Sequence, residues 1–115
     1  MSKVEHLQTD IQRQLSKIYQ TDVKDDRIGF ITITAVKLTN DYSHLTVYYT
    51  ILGDDEKKKE ARRALEHSKK YVRTLLAQRV HMRKSPQIHF KYDESLEYGN
   101  RIERGLKKVL PDDDE

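Results

Sequence analysis

KKKEARRALEHSKKYVRTLLAQRVHMRK, Lys57 to Lys84, is the stretch on which the fold turns. Ala61, Ala64, Leu65, Val72, Leu75, Leu76 and Val80 recur at helical spacing, and Ser68 is the one polar member of that stripe. The bases Lys58, Lys59, Arg62, Lys69, Lys70 and Arg73 lie mostly away from it, so the segment is helical, with one side turned to a core. A single helix over this span would run roughly 40 Å. A domain of this size has an expected radius of gyration of about 13 Å. The mismatch predicts a break, and His67 and Ser68 are the weakest helix formers in the middle. Two helices are therefore expected, meeting in a kink at Ser68-Lys69-Lys70, although no Gly or Pro forces the bend. Ser85-Pro86 is expected to stop the second.

The same stretch concentrates charge. It holds eleven Lys or Arg against two acids, Glu60 and Glu66, a balance of +9. Residues 1–56 carry six bases and nine acids, and residues 85–115 carry five and eight, so each flank stands at −3 and the whole chain at +3. A basic run is often no more than a solvated helix face. One strongly basic segment between two acidic ones instead points to an anionic partner.

Upstream, Val4, Leu7, Ile11, Leu15, Ile18 and Tyr19 form a helical stripe from Ser2 to Gln20. Ser2 and Glu5 have the spacing of a capping box. Thr21 to Gly29 is acidic and polar and reads as a loop. Phe30–Leu38 and Leu45–Leu52 are rich in β-branched and aromatic residues and alternate, with TNDYSH between them as a turn, so they predict an antiparallel hairpin. Gly53-Asp54-Asp55 ends the second strand and places acids at the start of the basic helix, where the macrodipole favours them. Downstream, Gln87–Tyr92 alternates and predicts a third strand. Asp93 or Ser95 is placed to cap a last helix carrying Leu96, Ile102, Leu106, Val109 and Leu110, and Pro111 closes it. The organisation is one domain over residues 1–110 with an acidic, disordered tail at 111–115. Helices on one face of a three-stranded sheet, in the order α-β-β-α-α-β with a C-terminal helix, make an α+β architecture.

Several classes are disfavoured. The chain has no cysteine, so it carries no disulfide framework or thiolate metal site. The N-terminal residues are polar and unsuited to a signal peptide, and no apolar run approaches a membrane span, so a soluble cytoplasmic protein is expected. His6, His44, His67, His81 and His89 are never three or four apart, which disfavours a metal site. No nucleophile–base pair, G-x-S-x-G or phosphate-binding glycine loop occurs, and the carboxylates of 112–115 sit on a tail that cannot hold catalytic geometry. Neither enzyme activity nor a cofactor is expected.

The element order, with a basic helix pair after the second strand, resembles a type II KH domain, although no GXXG occurs. DDRIGFITITAVKLTNDYSHLTVYYTILG, Asp25 to Gly53, and SKKYVRTLLAQRVHMRKSPQIHFKYDESLEYGNRI, Ser68 to Ile102, are similar to the ribosome-binding factor A family. The family has Asp-Pro-Arg where this chain has Asp25-Asp26-Arg27, and Ala-x-Gly at its helix bend where this chain has Ser68-Lys69-Lys70. The second difference removes the glycine of the bend and adds a cation. The resemblance implies a monomeric, non-enzymatic bacterial assembly factor that binds 16S rRNA and the immature 30S subunit. It would assist late maturation, including 16S rRNA 5′-end processing, most of all in the cold, with a ribosome-associated GTPase implicated in its release.

Phosphate binding needs cations on a firm surface, and counterion release makes it salt dependent. Lys69, Lys70 and Arg73 at the expected helix junction are the candidate centre, extended by Arg62, Arg63, Arg79, Arg83 and Lys84. Arg27 is a further candidate that could equally pair with Asp25 or Asp26. Among the seven tyrosines, Tyr49 and Tyr92 fall on apolar faces and read as core, while Tyr48 faces the other way and is the better base-stacking candidate. The alternative to RNA binding is a basic module that docks an acidic protein.

Overall fold

The computed structural model describes residues 2–95. Ser2 caps the first helix, α1 (Lys3–Lys17), in a complete capping box: its Oγ accepts from the Glu5 backbone N–H, and the Glu5 side chain accepts from the Ser2 N–H. A π-helical turn, Ile18–Asp22, follows directly, so helical structure runs two residues past the expected limit and sets consecutive Ile18 and Tyr19 both in the core. The strands β1 (Ile31–Leu38) and β2 (His44–Ile51) pair antiparallel, as the alternation predicts. Between Ile33 and Ala35 the register shifts in a β-bulge, where the apolar positions switch from odd (Ile31, Ile33) to even (Val36, Leu38). Strand β3 (Gln87–Tyr92) pairs parallel to β2, giving the order β1-β2-β3.

One face of this sheet holds the core. Ile33, Val36 and Leu38 from β1, Leu45, Val47, Tyr49 and Ile51 from β2, and Ile88 from β3 are buried against both helices. Helix α1 packs chiefly on β1. Its Gln12 amide donates to the Ile33 carbonyl (3.1 Å), and its Gln8 carbonyl accepts from the Leu38 N–H (2.9 Å). These are backbone groups that β2 leaves unused.

The expectation of two helices in the basic stretch is corrected. Helix α2 is one element, Asp55–Arg79, of 25 residues, capped by Asp54, whose Oδ1 accepts from the Lys57 N–H. It runs without interruption through Ser68-Lys69-Lys70. The 13 Å radius assumed an isotropic domain. The described residues instead extend 51 × 36 × 19 Å with a radius of gyration of 16.4 Å, which accommodates a continuous helix of about 37 Å. Lysine at position 70 is also a far better helix former than the glycine of the related bend. Ser68 stays in register by donating back to the Leu65 carbonyl (2.8 Å). The helix ends at Arg79, well before Pro86, because Val80 turns to extended backbone and is buried. The stripe itself is as expected: Ala61, Ala64, Leu65, Val72 and Leu76 are buried. Asp93 accepts from the Ser95 N–H, and the last helix and acidic tail expected beyond it lie outside the described residues.

Lys70→Gly, which restores the family's glycine at an exposed position inside α2, is expected to lower stability by about 1 kcal/mol. Thermal unfolding followed by circular dichroism at 222 nm checks this. An unchanged melting temperature would show that α2 is not a regular helix there.

Candidate nucleic-acid interface

Helical spacing sorts the cations of α2 into two sets. Lys58, Arg62, Lys69 and Arg73, at intervals of four, seven and four, fall on the flank that overlooks β3. Arg63, His67, Lys70, Tyr71 and Thr74 lie on the outward side, all exposed. Along the first flank the Lys58 ammonium stands 4.9 Å from the Tyr92 ring centroid, and that of Lys69 5.9 Å from Phe90. Tyr92 and Phe90 in turn meet Tyr49 edge-on, at 5.4 and 6.3 Å between centroids. Tyr49 is buried, as its apolar position implied, but Tyr92 is half-exposed. Between the helix flank and these rings lies a groove of about 670 Å³, bordered by Asp55, Lys58, Lys59 and Arg62 on the helix side, with Asp93 and Glu94 at its end beyond β3. Cations along one wall and aromatic faces along the other are the two components that single-stranded nucleic acid binding combines.

The candidate residues differ in what already holds them. Arg73 donates from Nε to the Pro86 carbonyl (2.9 Å) and from an Nη to the Ser85 carbonyl (2.7 Å), tying the linker before β3 to the helix. Arg79 pairs with Asp22 at 2.8 Å and ties the helix end to the π-helical turn. Arg27 forks onto Asp25 through two hydrogen bonds of 3.0 and 2.8 Å, and this fork, the largest influence on the Asp25 carboxyl, holds it below its usual range. Lys69 pairs with Glu66 at 2.8 Å and Lys84 reaches the Ser43 hydroxyl at 3.4 Å. Among the described residues, no hydrogen bond or ion pair holds the side chains of Arg62, Arg63, Lys70 or Arg83. The junction centre of Lys69, Lys70 and Arg73 therefore divides: Lys70 projects outward, Lys69 lies over Phe90, and Arg73 braces a loop.

Lys58, Phe90 and Tyr92 were not singled out from sequence as site residues. The i, i+4 spacing of Lys58 with Arg62 and of Lys69 with Arg73 was the available signal. A second missed pairing is His44 with His89, whose ring nitrogens stand 3.0 Å apart across β2 and β3. Forty-five residues separate them, so only strand register could bring them together. Among the described residues no group of three His, Cys, Asp or Glu side chains is placed to hold a metal, and no helix is long and apolar enough to cross a membrane.

Beneath Lys69, the Tyr19 hydroxyl and Ser68 Oγ share a hydrogen bond of 2.8 Å. Burial, the largest influence, pushes the Tyr19 phenol above its usual range, with the Ser68 bond acting the other way and the Glu66 carboxylate adding to the rise.

Fold and groove together define a KH-like α+β domain with a cationic helix beside an aromatic-lined groove. The sequence model of the family described as "Ribosome-binding factor A" matches residues 3–106. A ribosome-binding factor A of Geobacter metallireducens is 43% identical over 99 residues, covering 86% of this chain and 84% of that protein. The crystal structure of ribosome-binding factor A from Thermus thermophilus superposes with a TM-score of 0.71 at 32% identity, over 79% of this chain and 97% of the other. A second Thermus thermophilus structure of that factor, a homology model fitted into a cryo-electron-microscopy map of its 30S complex, gives a TM-score of 0.66 at 32% identity, over 78% and 94%. The chain belongs to the ribosome-binding factor A family.

Two outcomes follow from these contacts. Arg73→Ala is expected to destabilise the protein by about 1–3 kcal/mol, since it removes charge-assisted bonds to two carbonyls. Lys70→Ala should stay within about 0.5 kcal/mol of the parent. Urea denaturation of both separates a bracing residue from a surface cation. Tyrosines in the unfolded chain ionise near pH 10. The folded protein holds Tyr19 protonated beyond that, so its contribution is complete below about pH 10 and falls as pH rises further. Tyr19→Phe should flatten this alkaline loss in melts across pH 9 to 12, and an unchanged slope would contradict the burial.

Proposed function

We propose that the chain binds the immature 30S subunit by holding a single-stranded segment of 16S rRNA in the groove between α2 and β3. The observation that carries this reading is the row of Lys58, Arg62 and Lys69 facing Phe90 and Tyr92. Arg63, Lys70 and Arg83 add phosphate contacts on the outward surface, and Lys69 is recruited at small cost because an exposed ion pair contributes about 0–1 kcal/mol. Arg73, Arg79, Arg27 and Lys84 act at one remove, by positioning the linker, the helix end and the loops around the groove. Family membership and the 30S complex of the Thermus thermophilus relative support the choice of partner.

In this reading the protein acts in the cytoplasm as a monomer and without catalysis. It shields or orients rRNA during late small-subunit maturation, including 5′-end processing of 16S rRNA, and leaves with the help of a ribosome-associated GTPase. Arg62→Glu combined with Lys70→Glu is expected to reduce co-sedimentation with 30S particles at least tenfold while leaving the melting temperature nearly unchanged. Affinity of the parent should fall steeply with salt. Unchanged co-sedimentation of the double variant overturns the choice of surface. Association with large particles that survives nuclease digestion would favour docking on a protein instead.

A further inference from the structure

Among the described residues, the sheet has a second face that neither α1 nor α2 covers. Strand register sets Thr32 opposite Thr50, Ala35 opposite Tyr48 and Lys37 opposite Thr46 on that face, while β3 adds Lys91 beside Tyr48 and His89 beside Thr46. Continuing the alternation past the strand ends brings Phe30 and Leu52 to the same side, joined by a backbone hydrogen bond of 3.4 Å. Both are conspicuous: Phe30 is 79% exposed and Leu52 78%. A single exposed apolar residue needs no explanation, but two adjacent ones on an uncovered face do.

Charge on this face favours an anion. Lys37 and Lys91 stand on it, with Lys84 and the His44–His89 pair at the turn end. Two acids border it, and their local hydrogen bonds favour the charged form, so Lys37, Lys84 and Lys91 outnumber Asp41 and Asp93 by one. Asp93 accepts from the Thr34 hydroxyl at 2.6 Å and from Ser95, and Asp41 accepts from Thr39 and from the Ser43 N–H. Tyr48 and Lys91 also border the groove beneath α2, so the two surfaces are continuous around β3.

We infer that the face of the sheet turned away from α1 and α2 is a second single-stranded RNA surface, on which Tyr48 and Phe30 stack bases while Lys37 and Lys91 contact phosphates. The inference extends the RNA-binding reading of the groove and rests on it. A strand leaving the groove passes around β3 and crosses the sheet toward Phe30, with Leu52 as the apolar flank of the last base. Exposed aromatic rings on a sheet tolerate any base, because every base offers a π face, so this surface contributes affinity and direction rather than sequence choice.

The test uses the full chain and a fluorescent uridine oligomer of about ten nucleotides, within the usual site size for such surfaces. Phe30→Ala combined with Tyr48→Leu should weaken binding about thirtyfold or more, as expected for the loss of two stacking faces. Tyr48→Phe, which keeps the ring, should bind as the parent does. Circular dichroism confirms that each variant is folded, and ultraviolet crosslinking of the parent should attach uridine at Phe30 or Tyr48. If Phe30→Ala with Tyr48→Leu binds as the parent does while Arg62→Glu with Lys70→Glu does not bind, the second surface is overturned and the groove reading stands. If neither pair alters binding, both readings fall. If the parent sediments as a dimer that Phe30→Ala converts to monomer, the face holds a second copy of the chain and the inference is overturned.

Discussion

Because β2 and β3 run parallel, the chain must travel back along the sheet between them, and α2 makes that journey. An eight-residue strand such as β2 spans about 26 Å, whereas 25 helical residues span about 37 Å. The helix therefore overshoots the sheet, and residues 80–86 have to bring the chain back to the start of β3. Much else depends on this geometry. Arg73 holds the returning linker through two carbonyls, Arg79 anchors the overshooting end to Asp22, and Val80 turns inward as soon as the helix stops.

The crossover also explains why a concentration of like charge is tolerated. The cations lie on a rigid rod whose opposite stripe is buried, so they cannot retreat from one another by unwinding without exposing Ala61, Ala64, Leu65, Val72 and Leu76. Helical rotation then divides them between the groove and the outer surface. Some are consumed in holding the fold, and Arg62, Arg63, Lys70 and Arg83 remain unengaged among the described residues.

Local rules were legible before the structure. Ser2 and Glu5 announced a capping box, β-branched alternation announced the hairpin, and the α2 stripe named its own buried residues. Inferences that needed a shape failed or fell short. The break at Ser68 came from assuming an isotropic domain, whereas the described residues form a long, thin body. The bulge at Thr34 is marked by the switch of apolar positions from odd to even between Ile33 and Val36, a sign that a reading for alternation alone passes over. Charge counting located the basic helix but could not say that Arg73 faces two carbonyls, since backbone acceptors do not appear in a tally of acids and bases. Tyr92 reads as core from its parity with Ile88 and Phe90, but it lies on an edge strand and is only half-buried.

Gln8 and Gln12 have a consequence beyond fastening α1. An outermost strand ordinarily offers its unused amides and carbonyls to any extended peptide that drifts past. Here two side-chain amides occupy the Ile33 carbonyl and the Leu38 N–H, near either end of β1, so an arriving strand finds neither end of that ladder vacant. This member of the family thus carries on α1 its own guard against edge-to-edge pairing of its sheet.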